Sequence, residues 1–382
     1  MRDVYVIGAG ITPFGELWNM SLRDLFVAAA KDAMKDAAVG RLDGMYVGSM
    51  SPGLFVGQEH LSSLLADYLG AVPVPCVRVE SACASGGGAF RSAFFEVASG
   101  ASEVVLAGGV EKMTDFADVT GALATASDQE YEGYHGVTFP GLYAMMARAH
   151  MRAYGTARDE IAAVAVKNHE NALLNAGAHL RVRISVEQVM SSPPVADPLR
   201  LLDCAPVSDG ACALVLASEA YAKQSKRPLV RVAGIGAATD TIALHARSDL
   251  ASLEAVARAA AKAYAASGRR PKDVQVAEVH DCFTIAEIMA IEALGFVGRG
   301  RGGPASKGGE TSREGPIPVN TSGGLKAKGH PVGATGAAQI FEIVTQLRGE
   351  AGKRQIRGAR VGLAQNMGGS GGSATVHILE LV

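Results

Sequence analysis

Apolar strand-like runs alternate with helical stretches along this chain, and glycine, cysteine and histidine collect at the junctions between them. That alternation predicts an α/β fold. In α/β sheets chemistry is placed at such turns, at the strand carboxyl ends. The sharpest junction is Ser81-Ala82-Cys83-Ala84-Ser85-Gly86-Gly87-Gly88. Val74–Val79 upstream reads as a short buried strand, and Ala89–Ala98 downstream has the three-and-four apolar spacing of a helix. Cys83 is thus expected at a helix N-terminus, where free N–H groups and the dipole favour a thiolate. The alternative is a buried structural cysteine.

Two later junctions carry the residues that a thiolate nucleophile needs. Gly329-His330-Pro331-Val332-Gly333-Ala334-Thr335-Gly336 precedes a helix over Ala337–Leu347. His280-Asp281-Cys282-Phe283 lies between the strand-like Val274–Val279 and the helical Thr284–Leu294. A cysteine with histidines elsewhere in the chain is the pattern of a nucleophile and its base. Asp281 is expected to cap the helix that follows it.

These segments, with Ser208–Ala213 and Asn366-Met367-Gly368-Gly369-Ser370-Gly371-Gly372, occur in the order found in thiolases, and the chain resembles that family over nearly its whole length. The His-Asp-Cys-Phe turn resembles the sterol-carrier-protein-type and archaeal-type branches. The resemblance implies a five-layer αβαβα fold built from two similar halves, 1–222 and 223–382, with an inserted loop domain at about 111–198. It implies acetyl transfer between coenzyme A thioesters: two acetyl-CoA to acetoacetyl-CoA plus CoA, or the reverse, with no cofactor and no metal. Cys83 is then the nucleophile, His330 its base and Cys282 the second acid/base. His280 and His330 would hold the enolate oxygen, His280 directly or through a water. The backbone amides of Cys83 and Gly368 would hold the tetrahedral intermediate. Asn366 stands where other branches have a catalytic cysteine, and it is given no catalytic role. Ala205 occupies the place of the family's usual coenzyme A-contacting serine. A homodimer or homotetramer is implied, as is a complex with a zinc-ribbon/OB-fold protein and a downstream HMG-CoA synthase. Longer 3-ketoacyl-CoA substrates, or a non-catalytic subunit, are the alternatives.

Composition narrows the classes. With 382 residues, 48% hydrophobic and 19% charged, the chain buries a substantial core. A net charge of −2 gives no electrostatic case for nucleic acid or a membrane surface. Five cysteines without a C-x-x-C pair point to reduced thiols and a cytoplasmic setting. Met1–Gly8 reads as a strand and glycine turn rather than a signal peptide, and the C-terminus lacks Ser-Lys-Leu. Gly8-Ala9-Gly10 lacks the third glycine and helix of a dinucleotide cradle. Arg148, Arg181 and Arg183 are read as solvated surface charges. The methionines of Tyr143–Met151 are read as helix packing. His60, His135, His150, His169, His179, His245 and His377 are read as surface or packing residues, and Cys76, Cys204 and Cys212 as structural.

Overall fold

The computed structural model describes all 382 residues. Its strands are β1 (Val4–Ile11), β2 (Gly44–Gly48), β3 (Cys76–Val79), β4 (Val104–Glu111), β5 (Pro194–Ala196), β6 (Leu199–Arg200), β7 (Gly210–Ser218), β8 (Val230–Thr239), β9 (Val276–Glu278), β10 (Val361–Gly368) and β11 (Ser373–Leu381). Its α-helices begin with α1 (Leu22–Ala37), α2 (Pro52–Phe55), α3 (Leu61–Leu69), α4 (Ser85–Ser99), α5 (Val119–Ala124), α6 (Phe139–Tyr154) and α7 (Arg158–Ala172). They continue with α8 (Val186–Ser191), α9 (Glu219–Ala222), α10 (Glu254–Ser267), α11 (Thr284–Ala293), α12 (Gly302–Lys307) and α13 (Thr335–Leu347).

Nine strands hydrogen-bond in the order β3-β2-β4-β7-β1-β8-β11-β10-β9. The order repeats about the middle. In the first half β1, β7 and β4 are antiparallel neighbours, followed by β2 and β3 in parallel. In the second, β8, β11 and β10 are antiparallel neighbours, followed by β9 in parallel. A single parallel bridge from Ala277 to Val319 stands where the fifth strand would be. The two half-sheets pair through β1 and β8 at two residue pairs, Tyr5 with Arg231 and Val6 with Val230. Helices α4 and α13 pack on each other between the two half-sheets, while α1 covers the outer face of one and α10 that of the other. This is the expected αβαβα layering. The middle layer has its own apolar core, where Phe90, Ala93, Val97, Ile340, Ile343 and Val344 meet Val6, Leu214, Val276 and Leu379.

The glycines of β1 explain the tight outer layer. A Cβ on Gly8 would lie 2.2 Å from Ala33 O, and one on Gly10 2.3 Å from Ala29 O, so α1 rests on bare strand backbone. Gly234 and Gly236 of β8 do the same beneath Ala263 and Ala259 of α10. Gly8-Ala9-Gly10 is therefore neither a phosphate cradle nor the turn expected after Ile7. It lies inside a strand that runs on to Ile11.

Three other expectations need correcting. Val74–Val79 was read as a buried strand, yet β3 is the sheet edge and Val77 is 50% exposed. The sequence predicts a helix over Gln58–Leu69, and it begins instead at Leu61, after His60 takes a left-handed φ of 51°. The nine-residue β11 has no counterpart in the sequence reading. Between β4 and β7 the chain forms α5 to α8 and the β5–β6 hairpin. In α6, Met146 is fully buried and Met145 is 44% exposed, so the methionines divide between packing and surface.

Candidate active site

Cys83 sits on a sharp turn between β3 and α4. Ala82 adopts φ +48°, a left-handed value that an alanine takes only when its surroundings hold it there. Ser85 does the holding: its Oγ accepts from Ser81 N at 2.9 Å and donates to Ala82 O at 2.6 Å. Gly86 and Gly87 follow in helical backbone. A Cβ on Gly86 would lie 2.7 Å from Gly333 O, and one on Gly336 2.2 Å from Gly87 N. What approaches these glycines closely is the α13 segment, not a substrate. The bare contact brings the Cys83 turn and the His330 loop together.

His330 reaches the site from the loop before α13. Its backbone N–H donates to Ser208 Oγ at 3.3 Å. Its Nδ1 lies 2.7 Å from Thr335 Oγ1, and that hydroxyl donates to Pro331 O at 3.0 Å. With its one hydrogen committed, Thr335 accepts from Nδ1–H, and His330 Nε2 presents a lone pair. Glu111 anchors the same loop. Its carboxylate accepts from Gly333 N (3.0 Å), Met50 N (2.7 Å) and Ser49 Oγ (3.0 Å).

His280 and Cys282 arrive on the turn between β9 and α11. Asp281 does not cap α11. It accepts from Leu325 N (2.6 Å), Lys326 N (3.2 Å) and Asn168 Nδ2 (2.6 Å), tying the turn to the one-turn π-helix Gly324–Lys328 and to α7. The Cys282 carbonyl accepts from Ala205 N at 3.0 Å.

The Cys83 sulfur and the nearest ring nitrogens of His280 and His330 all lie within 4.8 Å of one another. The imidazoles meet edge to face, with centroids 5.0 Å apart. Cys83, Cys282 and His330 open onto a cavity of about 90 Å³, walled mainly by Met113, Leu123, Phe139, Tyr143, Phe283 and Val332. Tyr143 lies against Phe283 at 4.7 Å and donates its hydroxyl to Gly369 O at 2.9 Å.

Burial favours the neutral forms of the groups at the centre. Burial pushes the Cys83 thiol up to about 12, although the Gly369 N–H facing the sulfur works against it. Burial also lowers His330 to about 3, with Lys328 adding to the effect. His280 is held well below its usual value by burial and by His330, and Cys282 well above its own by burial. Cys83 does stand at the N-terminus of α4, but burial opposes the dipole-favoured thiolate in the resting site. A helix N-terminus contributes about 0.3–1 kcal/mol, and desolvating the anion outweighs it.

Sequence reasoning missed four residues here: Thr335, Glu111, Tyr143 and Asn366. Asn366 was given no catalytic role, yet its Nδ2 lies 3.0 Å from Cys83 O and 3.1 Å from His280 Nδ1. Gly368 is the last residue of β10, paired with Ser373. Arg148, Arg181 and Arg183 are exposed, Arg148 beside Asp197 and Arg183 beside Glu170. Cys212 is fully buried in β7, and Ala205 lines the cavity. Cysteine with two imidazoles is a donor set for a soft cation, but its surroundings fit proton and acyl transfer.

The thiolase N-terminal domain family matches residues 4–220, and the family described as thiolase C-terminal domain-like matches 236–381. The chain is 56% identical to acetyl-CoA acetyltransferase of Methanothermobacter thermautotrophicus over 382 residues, covering 100% of both chains. It is 49% identical to the Methanocaldococcus jannaschii protein of the same name, covering 100% of this chain and 99% of that one. Human sterol carrier protein 2 is 35% identical, with 100% of this chain and 72% of that protein aligned. Among solved structures, the Ltp2-ChsH2(DUF35) aldolase superposes with TM-score 0.86 at 25% identity, covering 100% of this chain and 98% of that one. Human mitochondrial 3-ketoacyl-CoA thiolase shares the fold, with TM-score 0.76 at 21% identity and coverage of 100% and 99%. With both halves matched and full-length relatives at this identity, the chain belongs to the thiolase family.

Proposed function

We propose that the chain is an acetyl-CoA C-acetyltransferase that works through an acetyl thioester on Cys83. The observation that carries this reading is the convergence of Cys83, His280 and His330 within 4.8 Å at a cavity that Cys282 also lines. His330 Nε2 takes the Cys83 proton as sulfur attacks the thioester carbonyl and keeps it, while Cys282 gives its own proton to the departing coenzyme A thiolate. Cys282, now a thiolate, removes a methyl proton from a second acetyl-CoA and becomes a thiol again. His280 Nε2–H and the Nε2–H of protonated His330 hold the enolate oxygen while its carbon attacks the acetyl group on Cys83. Backbone amides of Cys83 and Gly368 hold the resulting oxyanion, each donor contributing about 3–4 kcal/mol. Collapse releases acetoacetyl-CoA and the Cys83 thiolate, which takes its proton back from His330; thiolysis runs the same steps backwards.

The neutral resting pair suits this scheme, because the thiolate forms only as substrate fills the site. The cavity of about 90 Å³, walled mainly by apolar side chains, supports a small acyl group such as acetyl. No cofactor or metal is needed. The repeat in strand order supports two halves, 1–222 and 223–382, with an insertion at about 111–198. A cytoplasmic setting is supported by five free cysteines, and no helix is long and apolar enough to cross a membrane. The uncovered β3 edge, with Val77 and Phe95 exposed beside it, supports a homodimer or homotetramer. The likeness to the Ltp2-ChsH2(DUF35) aldolase supports assembly with a second protein, and the zinc-ribbon/OB-fold partner with a downstream HMG-CoA synthase is what the sequence resemblance implies.

The test is loss of acetoacetyl-CoA on adding coenzyme A, with Cys282→Ala and Cys83→Ala alongside. Rapid cleavage to acetyl-CoA, slowed at least a hundredfold by Cys282→Ala, is expected. Cys83→Ala should lose the acetyl adduct in intact mass spectra. Cleavage of only longer 3-ketoacyl thioesters would redirect the substrate assignment, and no cleavage of any would leave a non-catalytic subunit.

A further inference from the structure

Asn366 touches three elements of the site at once. Its Oδ1 accepts from Gly87 N at 3.3 Å, and its Nδ2 donates to Cys83 O at 3.0 Å. A backbone N–H only donates and a carbonyl only accepts, so these two partners settle which end of the amide is which. The NH2 group therefore faces His280 Nδ1, 3.1 Å away. A ring nitrogen opposite an N–H donor presents its lone pair, which leaves the ring proton on Nε2. That Nε2 is buried and has no partner within the protein. Its ring stands edge to face with His330.

From this geometry we infer that Asn366 is a positioning residue that fixes His280 in its Nε2–H form, as an obligate donor to the thioester oxygen. The inference rests on the acetyl-transfer reading above. It gives the two imidazoles opposite assignments. Thr335 leaves His330 Nε2 free to take a proton, and Asn366 leaves His280 Nε2 only able to give a hydrogen bond. Two rings of the same tautomer would leave the centre without either a base or a donor. Aspartate at 366 would reverse the polarity. It would accept from Nδ1–H and turn the His280 Nε2 lone pair inward, with no hydrogen for the enolate oxygen.

The first measurement is made on the resting wild-type protein with 15N-labelled histidine, using two-bond ring correlations assigned by loss of signal in His280→Asn. Nε2 protonation of His280 is expected; Nδ1 protonation would overturn the inference whatever the activity. The second compares wild type, Asn366→Asp and Asn366→Ala in acetoacetyl-CoA thiolysis. A fall in kcat of about a hundredfold or more in Asn366→Asp, with less than a threefold change in KM and a shift of the ring proton to Nδ1, is expected. Unchanged kcat with a shifted proton would also overturn it. If Asn366→Asp does not fold, the wild-type tautomer still decides. Failure of wild-type thiolysis would count against the acetyl-transfer reading and is separate from the tautomer measurement.

Discussion

At the scale of single residues, the site is neutral where a thiolate–imidazolium pair would be expected. Cys83 raised to about 12 and His330 lowered to about 3 leave no pH between 4 and 11 at which both are charged. Reaction of free Cys83 with iodoacetamide should therefore rise about tenfold per pH unit from 6 to 9, with no plateau. Peptide mass mapping against a Cys282→Ala background measures it. A shoulder below pH 7 would show a standing ion pair instead. Thr335 offers a second test. Thr335→Val keeps the shape but removes the acceptor for His330 Nδ1–H, so the ring no longer favours its basic form at Nε2. A loss of about tenfold or more in kcat is expected, with Thr335→Ser restoring most of it. Neither threonine nor asparagine announces this role in sequence. Their work is to fix protons on other residues, and only the folded distances show it.

At the scale of elements, what holds the site together is the absence of side chains. Helices α4 and α13 meet through Gly86, Gly87, Gly333 and Gly336, where an added methyl has no room. Gly336→Ala would place Cβ 2.2 Å from both Asn366 Oδ1 and Gly87 N. Overpacking of this kind costs about 1–3 kcal/mol, or more when only backbone is available to move. Gly40 has nothing within 4 Å of a notional Cβ. Gly40→Ala should then be neutral within about 0.5 kcal/mol in urea unfolding, while Gly336→Ala loses both stability and thiolysis. Equal behaviour of the two would count against the crossing as the organising contact. The same glycines mark what the sequence conveyed and what it hid. Their clustering beside Cys83 and His330 located the junctions. Their physical use was hidden, because a glycine that opens a turn and one that admits a helix look alike in one dimension. Gly8 and Gly10 were read as a turn for that reason. Strand β11 was legible in principle, since Ser373 to Ile378 alternate polar and apolar residues, and a register shift at Ile378/Leu379 breaks the pattern only near its end.

At the scale of the whole molecule, the layered architecture was legible because alternating elements and ordered motifs survive any ambiguity at their ends. The electrostatics of the buried layer were not, since burial belongs to no single residue. They make stability depend on pH in two opposed ways. Glu111, raised to about 7 by burial, binds its proton more tightly folded than unfolded. Its contribution is full below its unfolded value near 4 and is lost as pH rises to about 7. The histidines act the other way. Burial lowers His377 to about 3, as it does His330, and lowers His169 to about 4. Each binds its proton better unfolded, so stability grows as pH rises through 3 to 6.5 and is fully present above that. His377 isolates this term. It lies in the middle layer edge-on to Phe90 at 5.1 Å, both ring nitrogens lack partners, and it takes no part in the proposed chemistry. At pH 5 the unfolded chain gains about 2 kcal/mol by protonating it, and at pH 8 nothing. His377→Phe should accordingly be about 2 kcal/mol more favourable, relative to wild type, at pH 5 than at pH 8. Subtracting the two pH values removes any packing change from the larger ring, because that change is common to both. Urea unfolding at the two pH values gives the difference directly. A variant whose relative stability is the same at both would show that His377 is protonated, or hydrogen-bonded to water, within the folded layer.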